Sequence, residues 1–176
     1  LTKMYGPDEE LNSPGSLRNF SLSNLHFALT IEELITQHVK NEPLDNKNTN
    51  YVQGGFYYYS NENGIRIAIG GPGKNTYTGK FDFIIDLGGD DIYNVDHPPL
   101  TKGELSMGGF SCIIDLAGND YYTTSSDFAL AGGLFSSSFI FDKSGDDYYE
   151  SKGSGNLGAA IGGLGLLYDE KGNDTY

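Results

Sequence analysis

The sequence predicts a mainly β chain, a parallel β-helix or solenoid with coils of about 27 residues, preceded by one N-terminal α-helix. Three observations lead there. First, an eight-residue phrase returns four times: Asp86 to Tyr93, Asp115 to Tyr122, Asp142 to Tyr149 and Asp169 to Tyr176. Second, the leading aspartates, Asp86, Asp115, Asp142 and Asp169, follow one another at a nearly constant step, one typical of repeat arrays. Third, each phrase follows a short apolar run, and Gly/Ala-rich stretches keep phase with it, as in Ala129–Gly133 and Gly158–Gly163. Small side chains there let backbone layers approach closely, which predicts a narrow cross-section.

In chain order, residues 1 to about 20 carry Gly6, Pro7, Pro14 and Gly15 among polar residues and read as irregular. From Ser23 to Lys40, Leu25, Phe27, Leu29, Ile31, Leu34, Ile35 and Val39 recur at helical spacing, with Ser23 or Asn24 as cap. Pro43 ends this helix, and the polar stretch to Asn50 is a linker. Residues 1–50 thus form an irregular segment, a capping helix and a linker, and residues 51–176 the repeats. Tyr51–Ser60 and the alternating Ile65–Ile69 are strands. A worn copy of the phrase follows, with Gly70, Gly73, Asn75 and Tyr77 where Asp, Gly, Asp and Tyr stand later. Gly70 and Asp86 stand closer together than any two leading aspartates, too close for a full coil, so an irregular first turn or a hairpin is expected. The runs Phe81–Ile85, Phe110–Ile114, Phe139–Phe141 and Leu164–Tyr168 are strands with apolar residues on both parities, which predicts that both faces are covered. The chain opens on Leu1 and stops on the last residue of a phrase, so it is expected to continue beyond Tyr176.

The formal charge is −13, and from Asp86 onward 15 acidic residues face four lysines. That balance argues against nucleic acid and anionic membranes and toward cations. No apolar run reaches the roughly 20 residues of a membrane span. Cys112, the one cysteine, lies among Phe110, Ile113 and Ile114 and reads as a core residue.

Within the phrase, Gly recurs three places after the leading Asp (89, 118, 145, 172) and a fifth-place Asp at 91, 120, 147 and 174. Tyr recurs at 93, 122, 149 and 176, and the fourth place alternates as Asp90, Asn119, Asp146 and Asn173. Gly before Asp/Asn-Asp describes a tight turn with Gly at positive φ. That reading leaves the stacked carboxylates unexplained. Coils lie about 4.8 Å apart, where two carboxylates repel by about 1 kcal/mol in water and by more at lower dielectric. Lys143 and Lys171 are too few to compensate, while Lys74 in the worn copy can close one end of the ladder. Calcium takes six to eight hard oxygens and suits these turns better than magnesium. The candidate ligands are Asp86, Asp90, Asp91, Asp115, Asn119, Asp120, Asp142, Asp146, Asp147, Asp169, Asn173 and Asp174. The column Tyr93, Tyr122, Tyr149 and Tyr176 forms either an interior aromatic ladder, the reading favoured here, or an outward platform for sugars.

The strings Gly118-Asn119-Asp120-Tyr121-Tyr122 and Gly172-Asn173-Asp174-Thr175-Tyr176 resemble the Gly-Asn-Asp core of haemolysin-type (RTX) calcium-binding repeats. The resemblance implies a ligand role for Asp91, Asp120, Asp147 and Asp174, with turn carbonyls near Gly89, Gly118, Gly145 and Gly172. The repeat here is about three times as long as that family's nonapeptide, and the doubled glycine motif is missing. Both departures favour a larger parallel β-helix with acidic corners.

Catalysis finds little footing. His26, His38 and His97 have no metal-ligand spacing, Arg18 and Arg66 are the only arginines, and no nucleophile elbow or phosphate loop occurs. The expected function is a non-catalytic, calcium-stabilised repeat module of a secreted or cell-surface protein, acting as scaffold, adhesion or assembly unit. Alternatives are a carbohydrate-binding or carbohydrate-acting β-helix, with glycans as partners, and a filament or surface-layer subunit whose partners are further copies of itself.

Overall fold

The structure, a computed structural model, describes residues 44–96 and 109–176 together with Val39. The chain divides into two units, Leu1–Asn41 and Glu42–Tyr176, and all the described residues except Val39 belong to the second. The helix expected over Ser23–Lys40 lies, but for Val39, outside the described residues, as do His26, His38 and His97.

The second unit is mainly β. Its strands are β1 (Val52–Gln53), β2 (Phe56–Glu62), β3 (Ile65–Gly70), β4 (Thr76–Thr78), β5 (Phe83–Asp86), β6 (Ile92–Asn94), β7 (Phe110–Asp115), β8 (Tyr121–Thr124), β9 (Gly133–Leu134), β10 (Ser137–Asp142), β11 (Tyr148–Ser151), β12 (Ala160–Ile161) and β13 (Leu164–Asp169). They form a six-stranded sheet in the order β13-β10-β7-β5-β3-β2, a five-stranded sheet β1-β4-β6-β8-β11 and a pair β12-β9.

The phrase is the corner between the two large sheets. Its leading Asp ends a strand of the first sheet, and in the first three phrases its Tyr lies in a strand of the second. Like therefore pairs with like, in parallel: Asp86, Asp115, Asp142 and Asp169 are neighbours across β5, β7, β10 and β13. Tyr77, Tyr93, Tyr122 and Tyr149 are neighbours across β4, β6, β8 and β11. The short step from Gly70 to Asp86 is not a hairpin: the chain passes from β3 through β4 of the other large sheet to β5, which lies parallel to β3, and the antiparallel hairpin comes just before it. β2 and β3 run antiparallel around Asn63-Gly64, both at positive φ, and β3 then pairs in parallel with β5, Ile67 beside Phe83. β1 likewise meets β4 antiparallel, so both large sheets are mixed.

The core lies between the sheets. Ala68, Ile84, Ile113 and Ile140 line it from the first sheet, and Tyr77, Tyr93, Tyr122 and Tyr149 from the second. The alternate residues Phe83, Ile85, Cys112, Ile114 and Phe139 are also buried, in keeping with apolar residues on both parities. Burial fades along the first sheet, and Tyr168 in β13 is 51% exposed. Cys112 is wholly buried and its thiol is pushed up to about 12 by desolvation, which makes it an inert packing residue.

The phrase glycine has a different role from the one the sequence suggests. Gly118, Gly145 and Gly172 are not at positive φ; in this column only Gly89 is. A Cβ on Gly118 would lie 1.7 Å from the carbonyl oxygen of Gly89, and one on Gly145 would lie 1.5 Å from that of Gly118. The column is glycine because consecutive turns pack backbone on backbone.

Candidate metal centre

Two columns of acids run along the corner, and they differ in every physical respect. The inner one is made of the leading and fifth-place aspartates. Asp86, Asp91, Asp115, Asp120, Asp142 and Asp147 are all at most 2% exposed. Strand geometry puts them there, since the leading Asp shares the inward parity of Ile84, Ile113 and Ile140, and the fifth-place Asp shares that of the Tyr two residues on.

The first three leading carboxylates are held at both oxygens, and Asp169 at Oδ2 alone, its Oδ1 being buried without a donor. Oδ1 accepts the N–H two residues on: Gly88 to Asp86 at 2.8 Å, Ala117 to Asp115 at 2.9 Å and Ser144 to Asp142 at 3.1 Å. Oδ2 accepts a tyrosine hydroxyl from the preceding repeat: Tyr77 to Asp86 at 2.5 Å, Tyr122 to Asp142 at 2.6 Å, Tyr149 to Asp169 at 3.0 Å, and Tyr93 to Asp115. Those rings stack nearly parallel, with Tyr93 and Tyr122 at 4.5 Å and 6° and Tyr122 and Tyr149 at 4.7 Å and 8°. The column is interior as far as Tyr149, while Tyr176 stacks on its end and is 66% exposed.

Each fifth-place carboxylate reaches back one repeat. Asp91 Oδ1 accepts the Asn75 N–H at 2.5 Å, Asp120 the Asp91 N–H at 2.7 Å, Asp147 the Asp120 N–H at 2.7 Å and Asp174 the Asp147 N–H at 3.0 Å. The other oxygen is the anomaly. Oδ2 of Asp91, of Asp120 and of Asp147 is buried without a hydrogen-bond donor. A buried carboxylate with an unanswered oxygen costs several kcal/mol unless something positive meets it.

These aspartates gather in threes: Asp86 with Asp91 and Asp115, Asp115 with Asp120 and Asp142, and Asp142 with Asp147 and Asp169. In each triad one oxygen per residue lies within 4.8 Å of the others. Oxygens facing each other across a calcium ion at about 2.3–2.6 Å are roughly 5 Å apart, so the span suits that ion. Burial is the first cause that raises the pKa values of all seven carboxyls, and neighbouring carboxylates add to it. Asp91 moves up to about 6 and Asp86 to about 8. The row favours whatever neutralises it, a proton or a cation.

The outer column is exposed and complete in itself. Asp90, Asn119, Asp146 and Asn173 alternate charged and neutral. Asn119 donates its N–H at 2.9 Å and its Nδ2 at 3.3 Å to Asp90 Oδ1, and its own Oδ1 accepts the Asp146 N–H at 2.9 Å. Asn173 repeats the pattern on Asp146. The sequence groups these four residues with the inner aspartates, but none of them joins a triad; nor does Asp174, which accepts the Asp147 N–H.

Two further positions, Gly70 and Asn75, end the inner row. A Cβ at Gly70 would fall 2.1 Å from Asp86 Oδ2 and 2.0 Å from the Tyr77 hydroxyl. Asn75, wholly buried, replaces a fifth-place carboxylate with an amide that donates to the Gly55 carbonyl at 3.0 Å. The worn copy of the phrase already carries this signal. Lys74 instead occupies the exposed outer column, so it is the amide and not the ammonium that closes the buried row.

No family model matches the chain, and no curated protein or solved structure matches it.

Proposed function

We propose that the chain is a segment of a parallel β-solenoid whose interior carboxyl row is neutralised by calcium, and that it serves as a rigid, non-catalytic structural module of a secreted or cell-surface protein. The observation that carries this reading is the set of three buried, donorless Oδ2 atoms, each on a residue of a different three-carboxylate cluster. The parallel, in-register pairing of equivalent residues from successive phrases, Asp142 with Asp169 and Tyr122 with Tyr149, supports the solenoid. Asp86, Asp91, Asp115, Asp120, Asp142, Asp147 and Asp169 would hold the ions. Bound calcium would supply positive charge to oxygens that the protein leaves without donors.

The same arrangement recurs along the row, whereas acid–base catalysis needs carboxyls in unlike environments. Recurrence favours an architectural role. Millimolar calcium outside cells suits sites of modest affinity. The carbohydrate reading has less support, because the phrase tyrosines are interior as far as Tyr149, and the outer pair Tyr121 and Tyr148 stack on each other at 5.3 Å and 12°. Rings stacked in this way present edges to solvent, whereas sugars pack on faces.

Thermal unfolding at pH 8, first in EDTA and then in millimolar calcium with magnesium as control, tests the proposal. A ligand that binds only the folded chain stabilises it by mass action, about 2.7 kcal/mol per site at a hundredfold excess over Kd. The midpoint should rise by roughly 10 °C or more with calcium and far less with magnesium. An unchanged midpoint would sink the calcium reading.

A further inference from the structure

The three triads are not separate sites. Asp115 belongs to the first and second, and Asp142 to the second and third. Seven carboxylates therefore serve three clusters, and three divalent ions would bring six positive charges to seven negative ones. Independent three-carboxylate sites would need nine carboxylates and would leave each ion overmatched. The shared residues are placed to serve two neighbours, because Asp115 ends β7 and Asp142 ends β10, and each has a leading Asp beside it on both sides.

We infer that the interior holds a continuous row of three calcium ions, bridged by Asp115 and Asp142, with one ion between each consecutive pair of repeats. This rests on the calcium reading above and adds its stoichiometry and connectivity. The donorless oxygens of Asp91, Asp120 and Asp147 supply one private ligand per ion, and the leading aspartates supply the shared ones. Neighbouring ions then lie about one strand spacing apart, roughly 4.8 Å. At that distance two dications repel strongly, so the bridging carboxylates are what allows adjacent sites to fill together.

The two kinds of ligand separate by counting. Calcium retained after desalting would be measured by elemental analysis on the parent, Asp120→Asn and Asp115→Asn chains, with far-ultraviolet circular dichroism confirming the fold. Asparagine keeps the shape and the Oδ1 acceptor. The parent should carry three ions, Asp120→Asn two and Asp115→Asn one, since only the last removes a shared ligand. Asp142→Asn should also leave one and serves if Asp115→Asn does not fold.

Parent protein co-loaded with terbium and europium gives a readout that needs no variant. Ions one strand apart should shorten the terbium lifetime several-fold relative to terbium alone. Three ions in the parent with two remaining in Asp115→Asn, or an unchanged terbium lifetime at full loading, would overturn the bridged row while leaving calcium binding intact. No calcium in the parent would remove the underlying reading itself.

Discussion

Asp90 and Asp91 are adjacent in the chain and meet opposite fates. Asp90 heads an exposed column in which every second member is asparagine, so like charges are never neighbours and each side chain answers the next. Asp91 belongs to a buried row of carboxylates alone, four of which, Asp91, Asp120, Asp147 and Asp169, have an oxygen that nothing answers. Water and salt would have softened repulsion in the outer column, yet it is the one that alternates. The inner row, where repulsion costs most, keeps every acid. Charge diluted at the surface and concentrated in the interior is the pattern that the proposed calcium row calls for.

The largest effect that separates the two columns is pH dependence without metal. Burial raises Asp91 to about 6 and Asp86 to about 8, against about 3.9 in an unfolded chain. The folded state then holds protons that the unfolded state has released. Their contribution to stability is complete below about pH 4 and is lost as pH rises through 6 to 8. Urea unfolding in EDTA should show a loss on the order of 5 kcal/mol between pH 4.5 and 8.5 from Asp86 and Asp91 alone. Calcium should restore most of it at pH 8.5 and add little at pH 4.5, where protons occupy the same oxygens. Stability in EDTA that climbs steadily from pH 4.5 to 8.5 would contradict the buried row.

Substitutions within the row come next. Asp120→Ala removes the acceptor of the buried Asp91 N–H and a member of the central triad, and should cost about 3 kcal/mol in calcium by urea denaturation. Tyr122→Phe keeps the stacked ring and deletes only the hydroxyl on Asp142 Oδ2, for about 1.5 kcal/mol. If Tyr122→Phe proved as costly as Asp120→Ala, the tyrosine hydroxyls and not the triads would be the main support of the row.

Much of this is legible in the sequence, and the remainder is hidden for identifiable reasons. The constant spacing of the leading aspartates places β5, β7, β10 and β13 side by side, because a period has only one in-register solution. The phrase tyrosines and the leading acids are visible as columns, but the repeat alone does not say which columns share a side. Period-two alternation gives it: the fifth-place Asp and the Tyr two residues on point inward, and the fourth-place residue points out. The Asp/Asn alternation at 90, 119, 146 and 173 against unbroken Asp at 91, 120, 147 and 174 is a second clue to the same division. The glycine column misleads because close packing of turns and positive φ leave the same residue in the sequence. The short passage from Gly70 through β4 to Asp86 is harder to read, since a single step shorter than the others carries no period of its own and looks too short to reach both sheets.

The smallest effect tests the outer column's design. Asn119→Asp keeps an oxygen to accept the Asp146 N–H but loses the Nδ2 donor to Asp90, and it sets three carboxylates in succession at strand spacing. In water each new neighbour costs at most about 1 kcal/mol unscreened, and exposed pairs generally realise less. The variant should lose about 0.5 kcal/mol in 10 mM salt and recover nearly all of it in 1 M sodium chloride, because the Debye length falls from about 30 to 3 Å. At constant ionic strength, calcium should not rescue it beyond what it does for the parent, since the outer acids face solvent and join no triad. A calcium-specific rescue of Asn119→Asp would mean that an exposed acidic column can also take up the ion. Burial would then no longer be what distinguishes Asp91 from Asp90.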